Sequence, residues 1–314
     1  MIKKRIIVAM GMILPLTSCS QIKTDNQMEE KILNIHNTYE KHKNQNSYIL
    51  NINAKGCSLE ILINDVQVYT NFSKTKIRGL GGSIHINQYI LEKGKQNVKI
   101  NIFPATSEKR EMDSVLDPNL FCKISIEQGD FANQKPKDFT YVYEYEYKPN
   151  LSLPQVPFTT ITGEFAADVS YSIKGWKESV NLEDEDHDKL KEEVLAFYQS
   201  YIKIFEDKNL GKHLESLYKR ERDIMMTNYM YSENDSKNVL ILAKEQIERK
   251  QTFLPISNYE MRFYGNGKIV CFARIDNRFR GESVLIGHKE TGGYKIYLIF
   301  LHRPKPGAPL EVIR

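Results

Sequence analysis

The residues of this chain that could do chemistry are scattered. His85, His213, His288 and His302 lie far apart, and none stands in a His-x-x-x-His or Cys-x-x-Cys setting, the spacings that bring two ligands onto one zinc ion. His36 and His42 sit in a polar stretch with nothing nearby to complete a metal site. There is no Gly-x-Ser-x-Gly elbow, no Walker loop and no His-Glu-x-x-His. Gly79-Leu80-Gly81-Gly82 precedes no helical pattern, so it does not read as a phosphate loop. The densest acidic run, Glu183 to Asp188, has oxygen ligands for calcium but lacks the glycine and terminal glutamate of a calcium loop. It reads better as a helix start, where acids favour the positive end of the dipole. No catalytic residue, metal ligand or cofactor follows from these patterns.

The first nineteen residues are more informative. Met1-Ile2-Lys3-Lys4-Arg5 is a basic head, Ile6 to Leu14 an apolar run, and Leu16-Thr17-Ser18-Cys19 a small-residue site ending in cysteine. That order is the signature of an export signal. Pro15 and the short apolar run argue against a membrane span, which needs roughly 20 apolar residues. The Leu-Thr-Ser-Cys tetrapeptide resembles the bacterial lipobox. The resemblance implies cleavage before Cys19 and lipidation at Cys19, hence a cell-envelope lipoprotein attached to a membrane through its N-terminal lipid. Ser20, where an aspartate often signals inner-membrane retention, is consistent with the outer membrane of a Gram-negative host. Removing residues 1–18 removes three positive charges from a net of +4, leaving +1. A near-neutral exported chain lacks the basic excess of a nucleic-acid binder.

An exported chain can keep disulfides. Cysteines stand at 19, 57, 122 and 271. With Cys19 lipidated, an odd number remains. Cys57 and Cys122 both fall among strands and could pair, which would add about 2–4 kcal/mol; two buried thiols is the other reading. Cys271, inside an apolar strand, reads as a packed thiol.

These residues need elements to hold them. Residues 19–46 are mostly polar and read as a tether, with Ile32, Leu33, Ile35 and Tyr39 as one weak helical face. From Tyr48 the period is two. Tyr48 to Ala54, Ser58 to Ile63, Val66 to Tyr69, Ile84 to Leu91, Gln96 to Phe103, Phe121 to Glu127 and Phe139 to Tyr147 read as strands, with Asn64-Asp65 as a tight hairpin. Tyr141, Tyr143, Tyr145 and Tyr147 fall on one face and are expected in the core. These strands predict an antiparallel β-sandwich over 47–173. Residues 174–314 predict an α+β domain: three helices, then a meander of about four antiparallel strands with a hairpin at Gly265-Asn266-Gly267. The first helix carries Leu190, Val194, Phe197, Tyr198, Tyr201, Ile202 and Phe205 at helical spacing. Trp176 reads as a packing anchor between the two parts.

Helices leading into a curved antiparallel sheet are similar to the NTF2-like cone. In such a cone Phe197, Tyr201, Phe205 and Tyr229 would line a ligand pocket, or simply fill the core. Through Leu62-Ile63-Asn64-Asp65-Val66 and Phe263-Tyr264-Gly265-Asn266-Gly267 the whole chain also resembles uncharacterised bacterial lipoproteins. The expected function is a non-catalytic, membrane-anchored lipoprotein that binds another protein in the envelope, an immunity-type binder being one version. A glycan or small-ligand binder is the alternative, and an envelope hydrolase a further one.

Overall fold

The computed structural model describes residues 17–148 and 156–314, with side chains in the first helix from Asp25 onward. The signal segment 1–16, the Cys19 side chain and most of the proline-rich stretch at 149–155 lie outside the described residues. The fold mixes four helices with antiparallel sheets.

Helix α1 (Thr17–Leu33) is followed by strands β1 (Asn46–Lys55), β2 (Cys57–Ile63), β3 (Val66–Asn71) and β4 (Leu80–His85). Next come β5 (Gly94–Pro104), β6 (Phe121–Asp130), β7 (Thr140–Tyr147) and β8 (Thr159–Ala167). These strands make two four-stranded sheets, ordered β4-β1-β6-β7 and β3-β2-β5-β8. Leu50, Ile52, Ile124 and Ile126 from the first sheet share one buried cluster with Leu59, Ile61, Ile100 and Phe165 from the second. Every residue of β2 is buried. Its inward row joins that cluster, and its outward row is covered too: Ser58 bonds Thr75, and Glu60 pairs with Arg262 from the C-terminal half.

Two expectations in this half change. The strand expected at Ile84 to Leu91 ends at His85, and Asn87–Tyr89 is a 3-10 turn. Pairing begins earlier instead, at Leu80, on an edge strand where the glycines at 81 and 82 lie opposite Asn53 and Ile52. Tyr143, Tyr145 and Tyr147 pack against the core as expected, but Tyr141 is 58% exposed. A register shift between Ile126 and Glu127, which face Tyr143 and Tyr141, leaves Val142 as the extra residue and breaks the alternation between the two tyrosines.

The C-terminal half contains α2 (His187–Glu206), α3 (Leu210–Thr227) and α4 (Glu233–Glu248). Strands β9 (Gln251–Phe253), β10 (Tyr259–Tyr264), β11 (Ile269–Arg274), β12 (Ile286–Lys289), β13 (Tyr294–Ile296), β14 (Leu301–His302) and β15 (Glu311–Val312) follow. The expected single meander is divided into two small sheets, β10-β11-β14-β15 and β13-β12-β9. Asp186 caps α2 by accepting from the amides of Asp188 and Lys189, so the acidic run is a helix start. Ser232 and Asp235 close a capping box on α4.

The tether expected at 19–46 is the largest correction. Its first part is α1, a fourth helix. Met28, Ile32 and Ile35 lie at helical spacing and are buried against Leu214, Met225, Leu240 and Ala243 of α3 and α4. Asp25 Oδ1 accepts from the Gly211 amide at 2.6 Å, Glu29 pairs with Lys244 at 2.7 Å, and the Tyr39 hydroxyl donates to the Met230 carbonyl. Leu33 and Tyr39 pack beside them, and this short apolar face suffices because α3 and α4 supply the opposite wall. Replacing Ile32, fully buried, with alanine is expected to cost about 2–4 kcal/mol, read as a lower urea midpoint at unchanged slope.

Candidate functional site

The two turns singled out in the sequence meet each other. Asn64 and Asp65 both take positive φ, 51° and 61°, which sets a tight hairpin turn. The Asp65 carbonyl accepts from the Gly265 amide at 2.9 Å, and its Oδ2 accepts from the Asn266 amide at 3.0 Å. Gly265 (φ 60°) lies against the Trp176 ring, where a Cβ would come within 2.8 Å of the indole. Beside these turns, Tyr264 donates to Gln67 Oε1 at 2.6 Å, and Arg262 Nη1 bonds Glu60 Oε1 at 3.0 Å. Trp176 is buried in a cluster that also holds Tyr264, Ile269 and Phe300, so the core runs through the junction.

A cleft of about 570 Å³ opens at this junction. Its floor is the outward row of β5 and β8, with Asn97, Lys99 and Thr162; Trp176, Lys177 and Asn266 form one wall. Lys99 pairs with Asp65 at 2.9 Å, Lys177 with Glu92 at 2.6 Å and Lys95 with Glu164 at 2.8 Å. These pairs are largely exposed, each worth little, so an incoming polar ligand can exchange with them at small cost.

A second hollow, about 250 Å³, lies on the helical face. Ile32, Leu214, Leu217, Ile224, Val239 and Leu242 wall it. Arg220 and Glu221 bond each other at 3.0 Å and supply its polar edge. Leu242 at its rim and Ile241 beside it are more than half exposed. Both are large apolar side chains on one helix that nothing described here covers.

A third constellation joins residues far apart in sequence. Ser179 Oγ lies 2.6 Å from His302 Nδ1, and His302 Nε2 lies 3.0 Å from Glu311 Oε1. Lys219 Nζ is 2.6 Å from that oxygen. Burial first, then Lys219, pushes the His302 pKa down to about 4, so the ring is neutral. These are the residue types of a nucleophile, base and orienting acid. Their surroundings are not those of an acyl-transfer site. The Ser179 amide donates to the Trp176 carbonyl, Val180 to Arg303, and Leu182 to Gly267, so none of the three is free to hold an oxyanion. Ser179 itself is buried. The set ties the segment entering the helices to β14. Ser179→Ala is expected to cost about 1–3 kcal/mol by leaving Nδ1 unpaired, and a fluorophosphonate probe is expected not to label the native protein there. Labelling at Ser179 would reverse this reading.

Of the residues expected at one ligand pocket, Tyr201 and Phe205 are buried, and Phe197 packs beside them. Phe205 contacts Phe253 and Tyr297 at 5.2 and 4.9 Å. Tyr229 is not with them. Helix α3 ends at Thr227, the chain reverses at Tyr229 (φ 57°), and its ring meets Tyr171 at 5.6 Å in the other cluster. The four aromatics therefore do not converge. Cys57 and Cys122 are buried free thiols facing each other, and the hydrogen bond that Cys122 donates to Cys57, together with burial, holds Cys122 in its thiol form. Cys271 is also buried, its pKa pushed up to about 12 by desolvation. Among the described residues no group of three His, Cys, Asp or Glu is placed to hold a metal ion, and no helix is long and apolar enough to cross a membrane. No protein family, curated protein or solved structure matches the chain.

Proposed function

We propose that the chain is a lipid-anchored envelope protein that acts by binding another protein and performs no catalysis. Lipidation at Cys19 supplies the membrane attachment, through the lipobox-like Leu16-Thr17-Ser18-Cys19. The observation that carries the binding reading is the helical hollow. Its volume suits one large apolar side chain, its walls are mostly apolar with Arg220, Glu221 and Gln246 at the edge, and exposed Leu242 lines it. A pocket of that kind, filled by an anchor residue and ringed by polar groups, is where association energy concentrates. An immunity-type partner is one version of this reading. Cross-linking in intact envelopes followed by copurification is expected to recover a protein with the wild type and to lose it with Leu242→Asp. Equal recovery with both would refute the assignment of this face.

The junction cleft favours a second reading. Its amide, hydroxyl, lysine and indole groups are those that hold a polar or acidic saccharide. Saturable binding of an acidic oligosaccharide in calorimetric titration, abolished by Asn97→Ala with Lys99→Ala, would move the function there.

We read the two N-terminal sheets as a β-sandwich, supported by their shared core, and the C-terminal half as resembling an NTF2-like cone in element order. Tyr198, Tyr201, Phe205 and Phe272 fill the space between helix and sheet, which favours packing over ligand storage. In an oxidising envelope the facing Cys57 and Cys122 thiols would lose two protons and two electrons to a disulfide-donating oxidoreductase, forming one bond. Alkylation in denaturant without reductant is then expected to modify neither of the two, and reduction is expected to lower stability by about 2–4 kcal/mol.

A further inference from the structure

We propose that α1 seats the helical layer directly on the bilayer, so that the lipid surface is the neighbour of the end where α3 begins. This rests on the lipid-anchor reading and goes beyond it. If residues 19–46 were free, the body could stand up to about 90–100 Å from the membrane. They are not free. Asp25 is bonded to the first turn of α3 through the Gly211 amide, Glu29 pairs with Lys244, and Met28 and Ile32 are buried beside them.

The slack is therefore the short stretch from Cys19 to Asp25. As a continuation of α1 it spans about 9 Å, and even fully extended about 20 Å. The same end of the layer holds the end of α4, through the Lys208–Glu248 pair. Its charges are mixed, with Lys203, Lys208, Lys212, Arg249 and Lys250 against Glu206, Asp207, Glu245 and Glu248. Short reach, and not attraction to anionic headgroups, thus sets the placement. The far end of α3 is about 27 Å away. There Ile224 and Asn228 form one cleft with His85 and exposed Phe131.

The test uses the mature, acylated full chain in phosphatidylethanolamine–phosphatidylglycerol vesicles that carry a headgroup nitroxide lipid. A fluorophore is attached through Lys212→Cys or, separately, Phe131→Cys; Cys57, Cys122 and Cys271 are buried. Quenching is expected to be several-fold greater at 212 than at 131 and to persist at high salt. In an Ile32→Asp variant, which detaches α1, the two positions should become equal while the protein still floats with vesicles. Equal quenching in the protein with α1 intact overturns the placement and leaves the anchor standing. Wild type that fails to float, like Cys19→Ala, overturns the anchor and the placement together.

Discussion

Arg314→Ala is expected to lower stability by about 3 kcal/mol, because it removes one partner of a buried charge pair. The guanidinium is almost wholly buried. It stands 3.6 Å from Asp223, itself buried, and donates to the Gln88 carbonyl at 3.0 Å. Its carbon lies 5.2 Å from the centre of the Trp176 ring. One residue thus links α3, the turn after β4 and the junction tryptophan. Loss of the side chain leaves the Asp223 carboxylate without this partner and removes the face-on cation–π contact. Arg314→Lys is expected to recover only part of the loss, since an ammonium cannot stack or fork. Urea unfolding followed by tryptophan fluorescence measures both; a loss under 1 kcal/mol for the alanine variant would contradict the assignment.

Acid sensitivity is the second large effect, and its sign follows from two buried imidazoles and one half-buried carboxyl. Burial pushes His213 and His302 down to about 4, so the folded protein keeps both rings neutral while the unfolded chain takes up protons below about 6.5. Their contribution is complete above pH 6.5 and is lost as pH falls through 4. Glu282 works in the opposite sense. Burial raises its carboxyl to about 7, so it contributes below about 4.5 and its contribution is lost as pH rises through 7. Between these limits the unfolded state binds about one more proton than the folded state, giving a slope near 1.4 kcal/mol per pH unit. Glu282→Gln removes the opposing group. It is expected to raise stability at pH 8 by about 1–3 kcal/mol and roughly to double the slope between pH 4.5 and 6.5. Denaturation midpoints across that window decide it; an unchanged slope would show that Glu282 is ionised in the fold.

Much of the fold was legible because its elements obey their own periods. The alternating Val98, Ile100 and Ile102 of β5 and the helical spacing of Leu190, Val194, Tyr198 and Tyr201 need no partner to be recognised. Helix α1 was not legible for the converse reason. The weak apolar face of Ile32, Leu33, Ile35 and Tyr39 was visible, but its polar surroundings read as a tether, and only the walls of α3 and α4 make it a core face. Tyr229 misled because it continues the spacing of α3 in sequence while the chain has already turned away. The Ser179–His302–Glu311 set joins a loop to two short C-terminal strands, and no local pattern links such positions. Both turns at the junction were visible, but nothing in either one says that Asp65 binds Gly265.

On the proposed reading, a lipid on Cys19 would decide how these surfaces are presented. The most direct measurement is the intact mass of the protein isolated from the envelope of its own host. A chain that begins at Cys19 and carries acyl groups is expected, with Cys19→Ala remaining unacylated. An unmodified chain that still begins at Met1 and is freely soluble inside the cell would contradict that reading.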